Sequence, residues 1–210
     1  MTAIESVKKS ISTFVEQIAS DSEQETVKMG SIAEALRPAP YGPAVHLPAP
    51  YPEKTVFPLS LAASQPNTHI DLVAEIKELS TSGKLRTLLD KHGAVYFQNL
   101  GLKSADEFSQ FAHAFGWAAH EDIGNPVRRT THAKNVATAN EGPNTQPVYP
   151  HNEFGLSPHY PAYVFFYCAT APETGGETPI NNSVVLYHRL KERHPAFIKE
   201  IEKKVRIIFT

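Results

Sequence analysis

Residues 149–170 read YPHNEFGLSPHYPAYVFFYCAT. A polar, proline-punctuated passage runs straight into an apolar, aromatic run, and here the pattern of the chain changes. Upstream, apolar residues recur at helical spacing. Downstream and around this passage, short β-like runs (NVATAN, PVYPHNEF, AYVFFYCAT and TPINN) stand between turn residues. Helices first and β structure later argue for an α+β fold rather than an alternating βαβ one.

Working back from that passage, SADEFSQFAHAFG begins with Ser104 three residues before Glu107, the capping-box pattern, and closes on Gly116. Phe108, Phe111 and Phe115 then share one helical face, a core stripe. Before it, AVYFQNL reads as a buried strand. HIDLVAEIKELSTSGKLRTLLDKHG places Ile70, Val73, Ile76 and Leu79, then Leu85, Leu88 and Leu89, at helical spacing, with Gly93 as a stop signal. From Arg37 to Pro66 the chain carries eight prolines, so this segment is expected to be extended and largely irregular. Ile4, Val7, Ile11, Phe14, Val15 and Ile18 fit a short amphipathic helix. The expected organisation is a helix and Pro-rich arm over 1–54 and a main domain over 55–210. Past the apolar run, a last helix is expected over Val184 to Lys204, and VRIIF as a final strand.

The 210 residues suffice for one substantial core. A net charge of -2 gives no electrostatic reason to propose nucleic acid or an anionic membrane as a partner. Arg189 to Arg206 holds seven Lys or Arg against three Glu, which reads as a solvated helix face. The single cysteine, Cys168, sits inside YVFFYCA, where a buried thiol is expected. With no apolar stretch of membrane-spanning length and no signal-peptide pattern, the expected setting is cytoplasmic.

The chemistry concentrates in His151-Asn152-Glu153. On a strand, residues i and i+2 point to the same face, roughly 6.5–7 Å apart along the backbone. An imidazole nitrogen and a carboxylate oxygen there, completed by a second His, would form the two-His-one-carboxylate triad of non-haem iron sites. Taken alone, the tripeptide reads more readily as a polar turn between two strands.

Context adds a resemblance. PHNE lies ahead of SPHYPAYVFFYCATAPETGGETPINNSVVLY, and LRTLLDKHGAVYFQNLGLKSADEFSQFAHAFG precedes both. This order resembles the TauD/TfdA-like Fe(II)/2-oxoglutarate-dependent oxygenases, especially the clavaminate-synthase-like and SyrP-like branch, over roughly Thr55 to Thr210. The resemblance implies a double-stranded β-helix, or jelly roll, with flanking helices. It makes His151 and Glu153 iron ligands and Thr178 in GGET a contact for the 2-oxoglutarate carboxylate, with Gly175 and Gly176 shaping the turn before it. Fe(II) and 2-oxoglutarate would be the cofactor and co-substrate, and the reaction would hydroxylate or oxidise a small organic molecule.

The family pattern also needs a distal His and, about a dozen residues later, an Arg that pairs with 2-oxoglutarate. Both are expected beyond Thr210, so the jelly roll is expected to be incomplete at the C-terminus. A second copy or another partner would then cover an open sheet edge. Three readings stay open: an oxygenase or part of one, a truncated paralogue without turnover serving as a binding or interaction module, and a metal-binding jelly roll of another kind. Among other residues, His159 reads as a loop residue, and His120 and His132 as lining a pocket mouth. Arg128 and Arg129 are candidates to meet an anionic substrate. His92, His113, His188 and His194 stand in helical contexts and carry no assigned role.

Overall fold

The computed structural model describes residues 36–42, 44–63, 69–121, 129–143, 145–153 and 159–204. The N-terminal helix expected over 4–18, the VRIIF strand and Arg128 lie outside the described residues. The chain divides into two units, Met1–Gly101 and Leu102–Thr210.

In the first unit, strand β1 (Leu36–Pro38) pairs antiparallel with β2 (Leu59–Ala63), and β2 pairs parallel with β3 (Val95–Gln98). The sheet order is β1-β2-β3, with β2 in the middle. A parallel pair needs a long crossover, and here it is made by helices α1 (His69–Thr81) and α2 (Lys84–His92). β2 lies inside the proline-rich segment, so the expectation of irregular structure over 37–66 is corrected at Leu59–Ala63. Its residues Leu59, Ser60, Leu61 and Ala62 are all buried. Proline count alone hides such a strand because none of the prolines falls within it. The buried Ser60 hydroxyl is not stranded: Gln98 Nε2 donates to it at 2.6 Å and to the Ala39 carbonyl at 2.7 Å.

Leu72, Ile76 and Leu79 form the buried stripe of α1, and Leu85 that of α2. Each contributes about 1.5–3 kcal/mol by leaving water. Leu72 rather than Val73 is the innermost residue of its turn. The helical stretch is two helices, because Gly83 adopts φ 76°, a left-handed conformation that a side chain rarely takes and that ends the α1 winding. α2 stops as expected at Gly93, whose N–H donates to Leu89 O at 2.7 Å. β3 is half-buried rather than fully buried, with Tyr96 exposed.

The second unit begins with α3 (Ala105–His113). Ser104 Oγ accepts from Glu107 N at 3.1 Å, which satisfies one helix-start donor, while Glu107 Oε2 reaches back one residue past the N-cap and accepts from Lys103 N at 2.6 Å. Phe108, Phe111 and Phe115 are buried on one face. The apolar run packs on that face by alternate residues: Tyr167 stacks on Phe108, Phe165 meets Phe115 edge-on, and Tyr163 stacks on Trp117 at 3.8 Å. Val164 and Phe166, on the other face, are exposed.

Two expectations are corrected here. Among the described residues, neither PVYPHNE nor AYVFFYCAT nor TPINN forms a paired strand; the second of these has strand-like alternation without a ladder. Cys168 is exposed, not buried, because it falls on the outward parity of that alternation. Among the described residues, the β structure of this unit is a small antiparallel hairpin, β4 (Thr131–Ala133) with β5 (Val136–Ala137), the latter inside the expected NVATAN run.

The last helical stretch is also two helices, α4 (Ser183–Arg193) and α5 (Pro195–Lys204). Pro195 supplies no N–H and pushes His194 out of helical geometry, to φ -135° and ψ 59°. The two helices meet through Tyr187, whose hydroxyl donates to Glu202 Oε1 at 2.7 Å. No helix of the described residues is long and apolar enough to cross a membrane.

Candidate metal centre

His151 and Glu153 sit in an irregular segment, not on the expected strand, so the strand argument does not account for them, yet their side chains approach each other. His151 Nε2 lies 3.7 Å from Glu153 Oε2. The imidazole is oriented by its other nitrogen, since His151 Nδ1 lies 2.7 Å from the Tyr149 carbonyl. A carbonyl only accepts, so Nδ1 donates in this contact, and Nε2 is the nitrogen that faces the carboxylate. Asn152 belongs to a different contact: its Oδ1 accepts from Ser183 Oγ at 3.5 Å, at the first turn of α4.

The other oxygen of the carboxylate is occupied. Arg129 Nη2 donates to Glu153 Oε1 at 3.3 Å. Arg129 immediately precedes the β4–β5 hairpin, whose base is held by Thr138 N donating to Thr130 O at 3.0 Å and by Thr130 N donating to Glu141 Oε1 at 2.6 Å. Those Thr130 hydrogen bonds, from its side chain and its backbone, hold the Glu141 carboxyl below the usual glutamate range. At the far end of the hairpin, Ser109 Oγ of α3 donates to Lys134 O at 2.7 Å.

As a donor set, one imidazole nitrogen and one carboxylate oxygen suit iron and similar divalent ions. Two donors each about 2.0–2.2 Å from one ion stand at most about 4.4 Å apart, so a 3.7 Å separation is compatible with sharing it. Among the described residues no group of three or more His, Cys, Asp or Glu side chains could hold an ion together.

The remaining predicted residues are placed as follows. Thr178 lies in an exposed, irregular segment just after Gly175 and Gly176, both of which take positive φ as a tight turn requires. That segment leads to Asn182, the N-cap of α4, whose Oδ1 accepts from Val185 N at 3.0 Å. No hydrogen bond or ion pair among the described residues joins Thr178 to His151 or Glu153. His132 Nε2 lies 3.1 Å from Thr138 Oγ1, within its own hairpin. The His120 and His159 rings stack at 4.7 Å. The orienting carbonyl of Tyr149 has no counterpart in sequence reasoning, since every residue carries a carbonyl.

An N,O donor pair with its outer atoms tied defines a candidate divalent-metal site. The family follows from comparison with known proteins: the chain belongs to the taurine catabolism dioxygenase TauD, TfdA family, whose family model matches residues 55–209. Members of this family are Fe(II)/2-oxoglutarate dioxygenases. The chain is 40% identical over 119 residues to a clavaminate synthase-like protein of Arabidopsis thaliana, a match covering 57% of this chain and 36% of that protein. It is 30% identical over 128 residues to the dapdiamide synthesis protein DdaC of Enterobacter agglomerans, covering 56% of this chain and 38% of that protein. The chain thus spans well under half the length of each of these relatives.

Proposed function

We propose that the chain carries the first two metal donors of an Fe(II)/2-oxoglutarate-dependent oxygenase acting on a small organic substrate in the cytoplasm. The observation that carries this reading is the approach of His151 Nε2 to Glu153 Oε2 at 3.7 Å, with His151 Nδ1 tied to Tyr149 O. Family membership supports it, and brings with it a double-stranded β-helix as the scaffold into which the apolar run would fit.

When bound, Fe(II) with 2-oxoglutarate supplies O₂ activation coupled to decarboxylation of the co-substrate. The residues of this chain do the holding. His151 presents its Nε2, Glu153 a carboxylate oxygen that offsets part of the ion's charge, and Thr178 a hydroxyl that can donate to a 2-oxoglutarate carboxylate. A facial triad takes a second histidine as its third donor.

The test is an anaerobic titration of the Fe(II)-loaded protein with 2-oxoglutarate, read by the metal-to-ligand absorption band. The band should appear with the unaltered chain and vanish in His151→Ala and Glu153→Ala. A band that survives both substitutions would refute the assignment of these residues.

A further inference from the structure

We infer that Arg129 is a positioning residue for the Glu153 carboxylate, fixing which oxygen faces the metal. The inference rests on the reading of His151 and Glu153 as metal donors. The two carboxylate oxygens have separate partners: Oε1 accepts from Arg129 Nη2 at 3.3 Å, and Oε2 faces His151 Nε2 at 3.7 Å. The terminal torsion of a glutamate is broad and nearly two-fold, so holding one oxygen is what gives the other a direction. The same arrangement is repeated on the imidazole, where Tyr149 O holds Nδ1 and leaves Nε2 directed. Each donor of the pair therefore has its outer atom anchored. Outer partners of this kind are worth about 10–100-fold in metal affinity.

The anchor is itself held. Arg129 does not reach in from a free loop, because the next residue is bonded on both backbone sides, through Thr130 N to Glu141 and through Thr130 O to Thr138 N. The hairpin beyond it is tied to α3 through Ser109 and Lys134. A guanidinium also repels a dication. That repulsion acts from behind the carboxylate and across a side chain that is 34% exposed, where water and salt screen it. The directional effect therefore outweighs it, and removing Arg129 weakens metal binding.

The experiment titrates the full chain with Mn(II) alone and reads free Mn(II) by electron paramagnetic resonance. It compares the unaltered protein with Arg129→Ala, Arg129→Lys and His151→Ala. His151→Ala should abolish binding, and Arg129→Ala should raise the Kd about 10–100-fold. Arg129→Lys should fall between, since an ammonium keeps the charge but not the planar fork. Melting of metal-free Arg129→Ala should stay close to that of the unaltered chain, because water still reaches both side chains, 34% and 25% exposed, and such pairs contribute little; if that variant melts early, the Lys variant carries the comparison. Unchanged or tighter binding by Arg129→Ala, or full rescue by Lys, with His151→Ala still inactive in binding, overturns the positioning role alone. Binding that ignores His151→Ala, or is absent throughout, overturns the metal pair and this inference with it.

Discussion

Tyr167 lies flat against Phe108, ring centroids 4.9 Å apart, while its hydroxyl donates to the Leu102 carbonyl at 3.0 Å. One side chain thus joins the apolar run to both the aromatic face of α3 and the segment that leads into that helix. In sequence, the segment that carries His151 and Glu153 lies between this run and the β4–β5 hairpin.

Removing the Tyr167 hydroxyl alone, in Tyr167→Phe, should cost about 0.5–1.5 kcal/mol, the net worth of one hydrogen bond. Tyr167→Ala should cost about 3–5 kcal/mol, as large aromatic truncations do. Phe166→Ala, on the exposed parity, should stay within about 0.5 kcal/mol. Urea unfolding of the three variants measures the order, and equal losses at 166 and 167 would contradict the two-faced packing.

The same alternation places Cys168 outward. A thiol reagent such as Ellman's should therefore modify one thiol per chain without denaturant, at a rate near that of a free thiol. Reaction that waits for denaturant would show the residue to be covered.

How much of this was legible in the sequence depends on what kind of contact is asked for. The nearness of His151 and Glu153 follows from two positions of separation, which is local, although the strand that the i, i+2 reading presumed does not form there. The cap at Ser104 and Glu107 is legible for the same reason. Arg129 is visible as a cation, but its partner Glu153 is not, since nothing local pairs residues on separate segments. The breaks at Gly83 and Pro195 are written in the residues themselves, and a strict count of apolar spacing overrides them: Leu and Ile recur correctly on both sides of each break. The apolar run illustrates the converse. Its composition says buried, while only every second side chain is even half-buried, because burial follows parity along the run. The jelly roll rests on the family, since the ladders that define it are absent among the described residues.

His92 adds a pH dependence to the first unit. Its ring is buried, with Nδ1 2.8 Å from the Val56 carbonyl, and burial is the main cause that pulls its pKa below the ordinary histidine value. With the folded pKa lowered, the unfolded chain binds the proton more readily between that value and about 6.5. Stability should therefore fall as pH drops through this window, and level off below the folded pKa. Unfolding free energies measured from pH 7.5 down to 5 should slope less steeply in His92→Gln than in the unaltered chain. Parallel slopes would remove His92 as the source.

Thr178 is the residue through which the reading of 2-oxoglutarate binding can be tested apart from the metal. A hydroxyl donating to a carboxylate is worth about 1.5–3 kcal/mol, so Thr178→Val should raise the Kd for 2-oxoglutarate by roughly 10–150-fold. Thr178→Ser should restore most of it, and Mn(II) affinity should be unchanged in both. Gly176→Ala offers an independent approach from the turn. Gly176 has φ 76°, and a Cβ there would stand 2.7 Å from Pro172 Cγ, so the turn must shift to accept it. Such strain costs about 1–3 kcal/mol and displaces Thr178 without altering its hydroxyl. Weakened 2-oxoglutarate binding in Gly176→Ala, alongside the valine effect, would mark the turn as what places the hydroxyl. Full affinity in Thr178→Val would instead remove Thr178 from the co-substrate site, leaving the metal pair to be judged on its own titration.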